Sequence, residues 1–166
     1  MDKSNEYSNE KCNKETIKKI LKLYYNGVLY AKYNILDARS KHDYSVKAIS
    51  YDKTGPSGKT NNISREIERF IEVKDQAEQQ AGFLYLLIND IEKALNVFSK
   101  EDYNLLKLSY SKMPDDQIAN QLNMSIRNVY YVREISLNMI SKLLDADYYL
   151  QNPLKDIADY FDDMIG

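Results

Sequence analysis

The sequence has one cysteine, one histidine, no tryptophan, five glycines and three prolines in 166 residues, and each scarcity excludes something. A lone cysteine, Cys12, allows no internal disulfide and no thiolate metal cluster. A lone histidine, His42, removes the usual zinc sites and the usual catalytic base together. No apolar run approaches the roughly 20 residues of a membrane span, and the opening MDKSNEYSNEKCNK has no apolar stretch of signal-peptide length. The expectation is a cytoplasmic protein with no membrane partner, no metal, no cofactor and no catalysis. So few glycines and prolines also leave few places for the chain to break, which favours long helices over many short strands.

What remains is ordinary folding material. Apolar residues make up 43% and the formal net charge is −2, so the chain does not read as disordered. Its length suits one domain with an extension, or two small units.

The stretch KTGPSGKT, residues 53–60, has the surface look of a phosphate-binding loop. That loop needs a glycine five residues before its Gly-Lys-Thr, so that backbone amides can wrap the phosphates, and Lys53 stands there instead. The preceding SVKAISYD is too short and too polar for the buried parallel strand that such a loop follows. KTGPSGKT is therefore read as a turn between two helices.

The flanking segments support that reading. Apolar residues recur as Ile17, Leu21, Tyr24, Val28, Ala31, Ile35 and Ala38, in alternating steps of four and three that make a heptad seam. The rhythm runs on through His42 to Ile49, and resumes at Ile63, Ile67, Phe70, Lys74, Ala77, Ala81, Leu84, Ile88, Ile91, Leu95 and Phe98. Folding the chain back at the turn pairs His42 with Phe70, Ala38 with Lys74, Ile35 with Ala77, Ala31 with Ala81 and Leu21 with Ile91; a shift by one heptad matches equally well. Lys74 and His42 are polar members of the seam, either a register-setting or pH-sensitive pair or two half-exposed side chains. Leu23, Tyr25 and Tyr30 are expected on the outside, available to a partner. A two-helix hairpin buries little, so a homo-oligomer is expected.

Beyond Phe98 the pattern shortens to three compact helices, near 101–111, 114–122 and 125–144. Pro114 opens the second with Asp115 and Asp116 at its positive end, and Ser125 is placed to cap the third. Ile118, Ala119, Leu122, Met124, Val129 and Val132 fall where a helix-turn-helix needs apolar contacts, with Ala119 small enough for a close crossing. Asn123 stands in the turn where glycine is usual, and is the next most tolerant residue of a left-handed conformation.

The stretch DDQIANQLNMSIRNVYYVREISLNMISKLL resembles the fourth region of bacterial sigma factors. The whole plan is similar to phage and mobile-element late-gene transcription regulators of the ArpU and RinA kind. The resemblance implies base-facing roles for Ile126, Arg127, Tyr130 and Tyr131, with Ser125 and Asn128 reaching phosphates. It also implies duplex DNA and RNA polymerase as partners. The chain departs from the family pattern at Ile126 and Tyr130, where basic residues are typical, so its sequence preference and affinity are expected to differ. Over 101–146 five basic side chains stand against six acidic ones, a net charge of −1 that leaves little phosphate neutralisation to a lone module.

The end, LDADYYLQNPLKDIADYFDDMIG, is acidic, and Leu154, Ile157, Phe161 and Met164 recur at helical spacing after Pro153. Such a segment suits a basic patch on polymerase, a mask over the recognition helix, or a cover for apolar surface. The expected fold is all-α: a polar flexible leader (1–14), an antiparallel coiled-coil-like hairpin (15–99, turn at 50–62), a sigma-like helix-turn-helix (100–146) and an acidic amphipathic tail (147–166). The expected function is transcription regulation through duplex DNA. Two alternatives stand beside it: a DNA-packaging subunit like the small terminases of phages, and a module that docks on a sigma factor or polymerase without touching DNA.

Overall fold

A computed structural model describes the backbone over residues 3–42 and 60–144, and side chains over 14–42, at 65 and over 67–144. The expected tip of the hairpin through residue 59 and the acidic tail lie outside the described residues. The described residues form six helices and no strand: α1 (Lys3–Tyr25), α2 (Val28–Lys41), α3 (Thr60–Leu95), α4 (Lys100–Tyr110), α5 (Asp115–Gln121) and α6 (Ile126–Leu143). The all-α expectation holds at that level. From Lys3 onward the polar leader belongs to α1.

The first long helix expected from the sequence is interrupted. Gly27 takes a left-handed backbone, φ 74°, which glycine alone adopts without a Cβ penalty. Its N–H donates to the Tyr24 carbonyl at 3.0 Å, and the Asn26 N–H donates to the Lys22 carbonyl at 3.1 Å, closing α1. This break resets the helical phase. Beyond it Leu29 and Leu36 are buried while Ala31, Ile35 and Ala38 are exposed, so the seam expected at 31, 35 and 38 moves by about one residue. On α3, which has no such break, the expected seam from Phe70 to Leu95 is buried or half-buried throughout.

The described residues divide into two compact units: 3–30 with 86–144, and 31–42 with 60–85. In the first, α1 packs on α4 and α6, while α5 packs on α4 and α6. The outer surface expected at Leu23 is not found, because that side chain is only 1% exposed; α1 is covered on more than one face. Tyr25, expected outside, is half-buried. It stacks on Tyr110 with centroids 6.5 Å apart and meets Tyr103 edge-on at 6.3 Å. Asn26 Nδ2 donates to the Tyr110 carbonyl at 3.1 Å, joining the end of α1 to the end of α4. Burial pushes the phenol pKa of Tyr25 and Tyr110 upward, and neither hydroxyl has a hydrogen-bond partner among the described residues.

In the second unit Leu36, Ala77, Ala81 and Leu84 are buried, and Tyr33 meets Tyr85 at 6.1 Å. Ala38 from α2, His42 just past its end, and Phe70 and Lys74 from α3 line one cleft of about 570 Å³, together with Arg39, Arg69 and Val73.

The unpartnered phenols make a test of packing against hydrogen bonding. Tyr110→Phe leaves stability unchanged or slightly raised, since it deletes a buried hydroxyl with no partner, whereas Tyr110→Ala lowers it by about 3–5 kcal/mol. Gly27→Ala lowers it by about 1–2 kcal/mol through the left-handed backbone alone, because nothing lies within 4 Å of where its Cβ would stand. Chemical denaturation of the three variants reads all of these values.

Candidate nucleic-acid interface

The site is built from α4 downward. Ser99 caps α4, its hydroxyl accepting from the Asp102 N–H at 3.1 Å and donating to the Asp102 carboxylate at 2.9 Å, a reciprocal arrangement that satisfies an otherwise unpaired helix-end donor. α4 supplies Leu105 to a core completed by Ile118, Ala119 and Val129, with Leu108, Met113, Leu122, Met124 and Val132 packed around it. All six apolar positions picked out in the sequence, Ile118, Ala119, Leu122, Met124, Val129 and Val132, belong to this one cluster.

Between α5 and α6 the chain turns at Asn123, φ 52°. The Met124 N–H donates to the Ala119 carbonyl at 2.9 Å and the Asn123 N–H to the Asn120 carbonyl at 3.3 Å. This six-to-one and five-to-two pair is the Schellman closure of a helix, with a left-handed residue just past its end. Asn123 occupies the position that glycine usually fills, as its place in the sequence led one to expect. Pro114 lies one position outside α5, as its cap rather than its first helical residue.

α6 begins at once. Ser125 is extended, φ −74° and ψ 149°, and its hydroxyl accepts from the Asn128 N–H at 3.2 Å, the bond expected of a helix cap. The N–H groups of the first turn, with the positive end of the helix dipole, face outward there. Arg127 and Asn128 are exposed and Tyr131 is 64% exposed. Ser125, Arg127, Asn128 and Tyr131 line one open concavity of about 440 Å³ with Asn123 and Met124. Four of the six residues proposed from the sequence are thus brought together. Ile126 is exposed but outside that concavity.

Tyr130 is also exposed, yet it is committed elsewhere. The Arg133 guanidinium lies 4.8 Å from its ring centre. Arg133 in turn donates twice to the Asp115 carboxylate, Nη1 at 2.7 Å and Nη2 at 3.1 Å, with both side chains mostly covered. This fork fixes α6 against the first turn of α5. The guanidinium beside it holds the Asp115 carboxyl below the usual carboxylate range. Sequence reading missed this clamp, since no local pattern links residues 18 positions apart. Arg127, by contrast, makes no ion pair among the described residues.

The arrangement offers hydroxyl, amide, guanidinium and phenol donors on one face. Among the described residues no group of His, Cys, Asp or Glu is placed to hold a metal ion, and no helix is long and apolar enough to cross a membrane.

The clamp gives a pH test. Because the folded-state pKa of Asp115 is depressed, its contribution to stability is present above about pH 4 and is lost as pH falls through the folded value. Asp115→Asn and Arg133→Met each lower stability near pH 7 by about 1–3 kcal/mol, and Asp115→Asn flattens the acid limb of the stability profile. Denaturant titrations between pH 2 and 7 measure both effects. Compared with known proteins, the chain matches no family model, no curated protein and no solved structure.

Proposed function

We propose that the chain binds duplex DNA with the start of α6 and regulates transcription by doing so. The observation that carries the reading is the sequence α5, left-handed turn, α6 over a single apolar cluster, with Ser125, Arg127, Asn128 and Tyr131 exposed around one concavity. A helix supported from behind and polar in front at its N-terminal end suits insertion into the major groove. Arg127 is the group for a guanine edge, which its fork matches in geometry. Ile126 suits a thymine methyl, and Tyr131 reaches past both. Ser125 keeps its hydroxyl proton for a phosphate oxygen while its oxygen caps the helix, and Asn128 reaches the same strand. Tyr130 supports the surface through its ring contact with Arg133 rather than by reading bases.

Charge sets the limit of this interface. With Arg133 spent on Asp115, the cations left to meet phosphates between 100 and 144 are Lys100, Lys107, Lys112, Arg127 and Lys142. A lone copy therefore gains little from counterion release, and we read the active form as an oligomer or as a chain held on RNA polymerase. The same shortage favours a second reading, in which this surface docks on a sigma factor or polymerase without touching DNA.

The test is selection from fragmented genomic DNA by the purified protein at moderate salt, beside an Arg127→Ala/Tyr131→Ala variant. The expected outcome is enrichment of one motif that the variant loses. Arg127→Ala alone should relax the preference at a guanine by about 1–3 kcal/mol. Enrichment that survives the double substitution, or none at all for either protein, contradicts direct readout and moves the search to protein partners.

A further inference from the structure

Lys74 and His42 interrupt the apolar seam of the hairpin, and the structure sets both against one cleft of the second unit. The cleft forms where Ala38, near the end of α2, is too small to fill the space it shares with Phe70 and Lys74 of α3. Its volume is about 570 Å³. Small-molecule sites occupy about 300–1,000 Å³.

The charge of the lining is of one sign. Arg39 in the last turn of α2, and Arg69 and Lys74 on α3, border the cleft, and no carboxylate does. None of the three cations makes an ion pair among the described residues. Asp37, the carboxylate on the same turn of α2, is held by Lys41 at 2.7 Å. A basic residue in the last turn of a helix suits its dipole, which accounts for Arg39. Arg69 and Lys74 stand well inside α3, where no helix end accounts for them. Like charges gathered on a concave wall repel one another and focus their field on whatever enters. Lys74 is half-buried, which adds to the need for a counter-charge.

The rest of the wall is apolar. Arg69, Phe70, Val73 and Lys74 stand one and four residues apart, so cationic and apolar groups share one face of α3. A ligand that answers both carries a multiply charged anionic group and a flat apolar part. Arginine forks match pairs of phosphate oxygens, and a lysine adds a point charge. Inorganic phosphate alone would leave Phe70 and Val73 unused, and an aromatic acid of single charge would leave two of the three cations unanswered. A DNA duplex is a broad rod that meets only the rim of a cleft between two neighbouring helices.

We propose that this cleft binds a nucleoside di- or triphosphate, with its phosphates among Arg39, Arg69 and Lys74 and its base against Phe70 and Val73. The site shares no residue with the start of α6, so it stands or falls apart from the DNA reading.

The test is calorimetric titration of the full chain with ATP, with GTP and inorganic tripolyphosphate beside it, in the absence of divalent cations. The expected result is saturable binding of one nucleotide per chain, with tripolyphosphate weaker. Arg39→Gln/Lys74→Gln and Arg69→Gln each lower ATP affinity by about tenfold or more, the weight of a hydrogen bond to a charged group. Ala38→Met fills the cleft without altering its charge and lowers the affinity as well. Phe70→Leu weakens ATP and leaves tripolyphosphate unchanged. Lys93→Gln, in the other unit, leaves ATP binding as it was, and thermal melts establish that each variant is folded. No saturable binding, or binding that the folded cleft variants all retain, overturns the proposal. An equal loss in Lys93→Gln overturns it in favour of diffuse charge, tripolyphosphate as tight as ATP in favour of a bare anion, and displacement of ATP by duplex in favour of nucleic acid.

Discussion

The left-handed backbone of Asn123 is the constraint on which the rest of the α4 to α6 region depends. It ends α5 by giving the Asn123 and Met124 N–H groups to carbonyls of the preceding turn, and it lets Ser125 take up the extended conformation of a cap two residues later. With α5 stopped there, Ala119 and Val129 can share one cluster, and only small or branched side chains fit that approach. The face of α6 left over after this packing is what makes a candidate interface. Its start is polar and its outer ridge is apolar, because the core has already claimed Val129, Leu137 and Ile140.

Electrostatics divides the arginines of α6 by task. Arg133, mostly covered, is held by both oxygens of Asp115 and by the ring of Tyr130, so its charge is used in fixing α5 to α6. Arg127, six residues earlier and on the open side, has no ion pair among the described residues. The clamp and the proposed reader are thus different residues. For the proposed DNA binding the separation has a cost in affinity: a cation that holds the fold cannot also release a counterion from DNA. The division takes one more cation from a region already at net −1, and it is why the proposed activity includes a second copy or polymerase.

Legibility in the sequence followed the range of the physics involved. The cap at Ser125, the left-handed residue at 123 and the six apolar contacts are short-range features, and each is visible in a window of a dozen residues. From Phe70 to Leu95 the seam along α3 was equally legible because that helix is unbroken, whereas Ile67, expected in the same seam, is 43% exposed. The seam along the first helix failed at one point: the heptad reading ran straight past Gly27, whose left-handed backbone shifted the pattern so that Leu36 is buried and Ile35 exposed. Tertiary contacts were not legible. Nothing near Leu23 says that α1 is covered by α4 and α6, and nothing near Arg133 says that it forks onto Asp115. Of the six proposed site residues, the four that gather around the concavity are those placed by the cap and the helical period alone.

The most direct test of the central claim is photo-crosslinking of the full chain to genomic duplex fragments, with a benzophenone amino acid at position 131 and, as a control, at the exposed position 97, outside the α5 to α6 surface. The account predicts crosslinks from position 131 that competitor duplex of the same sequence abolishes, and none above background from position 97. Equal yields from the two positions, or none from position 131 in a protein that still binds DNA, would mean that α6 does not face the duplex.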